Sequence, residues 1–245
     1  MSHPEETESL LDVTLKKYPK ESMKKVFNLR LFIVTKTSPE PKKENICNYL
    51  NKWCGQSEVD PILGMSYLYP GCTIHLLQSS TEKMFTFLRA LKTDKDVHEL
   101  WPIKILLSTD NVPPDTFKFY HIVQIETLKQ DSFTANAPIE ISIAEVYNAF
   151  LSLTESLSSM GDQKRKDALE NLLREYNIFL PADFRVLGFA ENKEVCLLDE
   201  YLEIFDSPVT WSPALETSWP PPKRHDLKDI EFISEVDSDE QKAGQ

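Results

Sequence analysis

Glycine is scarce in this chain, at 6 of 245 residues. Phosphate-cradling loops need glycines close together, and neither G-x-G-x-x-G nor G-x-x-x-x-G-K-[ST] occurs, which argues against the common nucleotide-binding enzymes. A G-x-S-x-G nucleophile elbow is also missing. No apolar run approaches the roughly 20 residues that span a bilayer. The N-terminus, Met1-Ser2-His3-Pro4-Glu5-Glu6, is too polar and acidic for a secretory signal. The four cysteines, Cys47, Cys54, Cys72 and Cys196, form no C-x-x-C pair. Cys47 and Cys54 sit about two turns apart on an expected helix, beyond disulfide reach. All four read as free thiols in a reducing compartment, so a cytoplasmic protein without a metal is expected.

Positive charge is also in short supply. There are 27 basic against 39 acidic residues, a formal charge of −12. The basic residues fall in short clusters with acids nearby, such as Lys42-Lys43 and Lys164-Arg165-Lys166. Such a surface repels nucleic-acid backbones and anionic membranes, so neither is an expected partner.

What is present is a globular composition, 41% hydrophobic and rich in proline at 16 residues. Residues 1–25 carry only a weak apolar pattern and read as a flexible N-terminal segment. A strand is expected around Leu29–Val34, then a helix over Glu44–Cys54 with its stripe at Ile46, Cys47, Leu50 and Trp53. Ile62–Tyr69 and Cys72–Gln78 flank Pro70-Gly71 as a hairpin. Ser80 or Thr81 can cap a second helix striped by Met84, Phe85, Leu88 and Leu91. Ile103–Leu107 and Thr116–Glu126 close the series as strands. The order β-α-β-β-α-β-β contains a split βαβ unit and predicts an α+β, ferredoxin-like domain over residues 26–128, with two helices on one face of a four- or five-stranded sheet.

The remainder changes character twice. Residues 139–206 read as a helical extension: Ile139–Met160, then Asp162–Tyr176, then a short helix through Leu198, Tyr201, Leu202 and Phe205. Arg185–Phe189 reads as a strand. These helices are expected to cover the sheet face that the first two leave open. Residues 207–245 form a Pro/Trp-rich segment with Trp211, Trp219 and Pro220-Pro221-Pro222, followed by an acidic tail. Trp211 and Trp219 either dock back on the domain or anchor on a partner; they are the candidate partner-binding residues, because aromatic side chains dominate interface energetics.

The runs Leu31-Phe32-Ile33-Val34-Thr35, Gly64-Met65-Ser66-Tyr67-Leu68-Tyr69, Ile74-His75-Leu76-Leu77-Gln78 and Phe117-Lys118-Phe119-Tyr120-His121-Ile122, in this order of elements, resemble the BLUF family over residues 27–126. That resemblance implies a flavin held between the two helices, contacted by a tyrosine, a glutamine and asparagines. Here the tyrosine position falls on Ile33, the glutamine on His75, and the paired asparagines on Gln56 and Ser57. The tryptophan and methionine of the last strand fall on Tyr120 and Ile122. The resemblance therefore implies a BLUF-like scaffold that has lost flavin photochemistry, with no cofactor expected. The long C-terminal extension and acidic end resemble a testis-expressed vertebrate branch of such proteins, which would imply a male-germ-cell setting.

His75 and His121 have no cysteine or carboxylate at metal-ligand spacing, and satisfied buried or rim histidines are expected. The functional expectation is a non-catalytic interaction protein whose partners are other proteins. The alternatives are a light-insensitive binder of flavin or another planar molecule, or an enzyme of unrecognised type.

Overall fold

The computed structural model describes residues 28–37, 43–55, 60–126 and 131–207. The N-terminal 25 residues, Gln56, Ser57, Trp211, Trp219 and the acidic tail, all singled out above, lie outside them. The described residues belong to one compact unit ending at Ser207.

The first strand, β1 (Asn28–Thr37), is apolar on both faces and buried almost throughout, which places it inside the sheet. Helix α1 (Lys43–Trp53) buries Ile46, Tyr49 and Leu50, a stripe at helical spacing. A hairpin joins β2 (Leu63–Tyr69) to β3 (Cys72–Ser80), and Gly71 takes the positive φ of 82° that the tight turn needs. Helix α2 (Thr81–Thr93) starts where the Ser80 hydroxyl accepts a hydrogen bond from the Lys83 N–H at 3.2 Å. A one-turn helix, α3 (Lys95–His98), leads into β4 (Leu100–Val112), and a 3₁₀ turn at Pro114–Thr116 precedes β5 (Tyr120–Gln124). The second part adds α4 (Ile139–Ser159), α5 (Asp162–Glu170), α6 (Leu172–Glu175), α7 (Asp183–Glu191), a two-residue strand β6 (Cys196–Leu197) and α8 (Leu198–Phe205).

The sheet order is β5-β2-β3-β1-β4-β6. β3 runs antiparallel between β1 and β2, and β4 pairs antiparallel with β1 on its other side, which is the ferredoxin-like arrangement. β5 adds a parallel edge beside β2. The protein is thus an α+β fold.

Three details depart from the sequence pattern. Arg185–Phe189 is helical, inside α7, where Val186, Phe189 and Ala190 are buried at helical spacing. The sheet has a sixth strand, because Cys196 and Leu197 pair with Ile105 and Lys104. The last strand before α4 begins only at Tyr120, since Pro114–Thr116 is taken up in the 3₁₀ turn.

The sheet is covered on both faces. On one, Leu31 and Ile33 of β1 join Leu50, Phe87 and Leu88 of α1 and α2, and Leu198, Tyr201 and Leu202 of α8. The other face carries Phe32, Val34, Tyr67 and Ile74 against Phe150 and Leu153 of α4 and Phe189 of α7. The C-terminal helices α4 and α7 therefore cover the second face, while the short α8 returns to the first, beside α1 and α2.

Candidate functional site

The BLUF resemblance directs attention to the sheet face beneath α1 and α2. Strand register collects the relevant positions there. Ile33 lies opposite His75, His75 opposite Ser66, and Ser66 opposite Ile122. Four of the six positions carried over from the family, Ile33, His75, Tyr120 and Ile122, thus come together on this face. Gln56 and Ser57 are outside the described residues. His121, two strands from His75, is partly buried at the β5 edge, and burial lowers its pKa.

A chain of hydrogen bonds crosses the face. Thr35 Oγ1 is 2.7 Å from Thr73 Oγ1, which is 2.7 Å from His75 Nε2. On the other side of the ring, His75 Nδ1 is 2.8 Å from Ser66 Oγ, and Ser66 Oγ is 3.0 Å from the Tyr120 hydroxyl. Tyr120 in turn adjoins the Cys54 thiol. Both ring nitrogens of His75 are thus partnered, as an interior imidazole requires.

Burial sets the electrostatics. His75 is 3% exposed, and desolvation, aided by His98, brings its pKa down to about 3. The ring is therefore neutral at physiological pH. Burial raises the Cys54 thiol to about 12 and holds the Tyr120 phenol well above its ordinary value. Every group in the chain stays uncharged near neutrality.

Ser66 and His75 have the spacing of a nucleophile and its base. Ser66 is completely buried, however, and no reacting group has space beside it. The void next to His75 is about 10 Å³, lined by Ile33, Thr35, Leu50, Leu77, Phe87 and Leu91 among others. That volume sits at the threshold for one water molecule. Ligand pockets run from roughly 300 Å³ upward, so a flavin ring does not fit. Aromatic packing takes up the remaining space: Trp53 lies 5.8 Å from Phe87, and Tyr49 lies 4.8 Å from His98.

Two signals for this chain were present in the sequence. Thr73 and His75 alternate on one side of a strand, and the Pro70-Gly71 turn sets Ser66 opposite His75 by counting outward. Thr35 and Tyr120 come from strands whose pairing only the tertiary structure supplies. Among the described residues, no three His, Cys, Asp or Glu side chains gather as a metal site. No helix among them is long and apolar enough to cross a membrane.

A bacterial light-regulated adenylyl cyclase is 18% identical, with the match covering 51% of this chain and 36% of that one, at a TM-score of 0.34. The chain thus spans little more than a third of that protein's length. BlsA in its photo-activated state is 15% identical over 60% of this chain and 95% of its own, with a TM-score of 0.30. The BLUF structure of BlrP1 is 9% identical over 60% and 87%, with a TM-score of 0.30. The sequence model of testis-expressed protein 47 matches residues 29–207, from the first strand through the end of α8. The chain belongs to the testis-expressed protein 47 family.

Proposed function

We propose that this protein is a non-catalytic interaction module, an empty BLUF-like scaffold acting within a protein assembly of the male germ cell, the sperm flagellum being the setting favoured. The observation that carries the reading is the packed space between α1 and α2. The void beside His75 is about 10 Å³, and the polar groups next to it bond one another. A face arranged this way contributes stability and offers nothing to a substrate. The charge of −12 favours protein partners over nucleic acid or anionic lipid, and the family name supplies the tissue. Trp211 and Trp219 are the anchors expected to grip a partner.

Two measurements test this. The purified full-length protein should be colourless and release no flavin or other planar molecule on denaturation, as read by absorbance and mass spectrometry. Near-stoichiometric flavin would overturn the reading. Affinity capture from testis extract should recover a defined set of proteins, and Trp211→Ala with Trp219→Ala should reduce that recovery without lowering the melting temperature. A lower melting temperature with undiminished capture would make the two tryptophans structural.

A further inference from the structure

A second place in the fold does have space. Where β6 ends, the outer edge of β4 continues alone: β6 pairs only with Lys104 and Ile105, and no described strand lies on the side of Leu106–Val112 away from β1. An unpaired strand edge presents a row of main-chain donors and acceptors, which proteins ordinarily blunt or cover. Beside this edge opens a cavity of about 380 Å³, within the size range of binding pockets. Leu106 and Leu107 form its floor, Ile139, Ile143 and Ala144 of α4 one wall, and Val195 with Cys196 the end nearest β6.

The rim of this cavity is acidic. Glu140 and Glu194 line it and are exposed, and Asp110 is exposed further along the same edge. Among the described residues, none of the three has a basic partner within ion-pair distance. The ion pairs that do form in this part of the molecule use other carboxylates, such as Glu191 with Lys36.

We infer that the β4 edge and its cavity bind an extended peptide segment of a partner protein, one that alternates basic and apolar residues and adds to the sheet as a strand in line with β6. The inference rests on the interaction reading above and gives it a surface. Three features select this occupant. The open edge matches a peptide main chain, whose N–H and C=O groups a small apolar molecule lacks. The cavity accepts a large apolar side chain pointing to the α4 side, at every second residue of such a strand. The carboxylates at the rim and along the edge favour lysine or arginine flanking that anchor, and they disfavour acidic segments.

The test uses purified full-length protein and a fluorescein-labelled peptide of alternating lysine and valine or leucine, followed by fluorescence anisotropy. Binding should saturate. It should fall by roughly tenfold in a Glu140→Lys, Glu194→Lys double variant at low salt, and less at high salt, where charges are screened. Ala144→Trp, which fills the cavity from an exposed position, should abolish it. A peptide N-methylated along one edge, with the side chains unchanged, should not bind. Circular dichroism of each variant confirms that the fold persists, and hydrogen exchange should show new protection over residues 106–110 on binding. Equal affinity for the N-methylated peptide, or no change with Ala144→Trp, would overturn the inference. So would wild-type dimerisation that Ala144→Trp abolishes, because the occupant would then be a second copy. If Ala144→Trp captures the same testis proteins as wild type, the groove is not the docking surface and the interaction reading still stands.

Discussion

The two faces of the sheet are built from the same strands and hold together by different means. The α4 face is mainly an apolar and aromatic core, with the buried Arg30–Gln78 pair at one end: the rings of Tyr67 and Phe150 stack at 4.2 Å, and Phe32 meets Phe150 edge-on at 5.9 Å. The α1/α2 face has apolar helices above it but a polar row within it, from Thr35 through His75 to Tyr120. Apolar contacts on the first face are worth what they remove from water. The polar row gains little net energy, yet breaking it leaves buried groups without partners. The α1/α2 side thus keeps hydrogen-bonded polar groups within its interior, whereas the α4 side packs rings against one another.

Removing the ring that ties α4 to two strands of the apolar face should have the largest effect. Phe150 is completely buried and touches rings on two strands. Phe150→Ala should cost about 3–5 kcal/mol in chemical denaturation, and a loss below about 1 kcal/mol would mean that α4 is not an anchor.

The polar row should respond to pH, with a defined sign. Burial depresses the folded pKa of His75 to about 3, against about 6.5 in an unfolded chain. Between those values the unfolded state binds the extra proton, so stability is full above about pH 6.5 and declines as pH falls toward 3. By pH 5 the expected loss from this one residue is roughly 2 kcal/mol. Burial also lowers His98 and His121, which tilt the curve in the same direction. His75→Gln keeps a donor and an acceptor for Thr73 and Ser66 and removes the titration. Denaturation midpoints from pH 7 to 5 should therefore fall less steeply in the variant than in the wild type. Parallel slopes would show that His75 is hydrated and not interior.

How far the sequence revealed these faces depends on how local their causes are. β1, α1, the hairpin and α2 follow from periodicity and from turn or cap residues within a few positions. β4 extends to Val112 through Ser108-Thr109-Asp110 because pairing with β1 requires main chain and not apolar side chains. In α7, Arg-Val-Leu-Gly-Phe alternates loosely enough to suggest a strand, yet the buried stripe Val186, Phe189, Ala190 is helical and Asp183 begins it. The two-residue β6 has no pattern of its own and exists only because β4 offers it an edge. Of the polar row, Ser66 opposite His75 was countable from the turn. Tyr120 reaches Ser66 only through the parallel pairing of β5 with β2.

The smallest expected effect tests whether α8 belongs to the polar face or merely lies on it. Its Tyr201 hydroxyl is 2.8 Å from Ser108 Oγ of β4, and its ring stacks on Phe85 of α2 at 6.1 Å. Burial raises the Tyr201 pKa, so the hydroxyl stays protonated and able to donate. Ser108 is exposed, so water can replace its hydroxyl when it is removed. Ser108→Ala should thus cost only about 0.5–1.5 kcal/mol, with the helix remaining in place. Tyr201→Phe, which deletes the partner oxygen and keeps the ring, should cost the same, and the double variant should cost no more than either single one. Additive losses in that cycle would mean that the hydroxyls act independently. α8 would then be held by Leu198, Leu202, the ring of Tyr201 and the ion pairs of Asp199 with Lys92 and of Asp206 with Arg89.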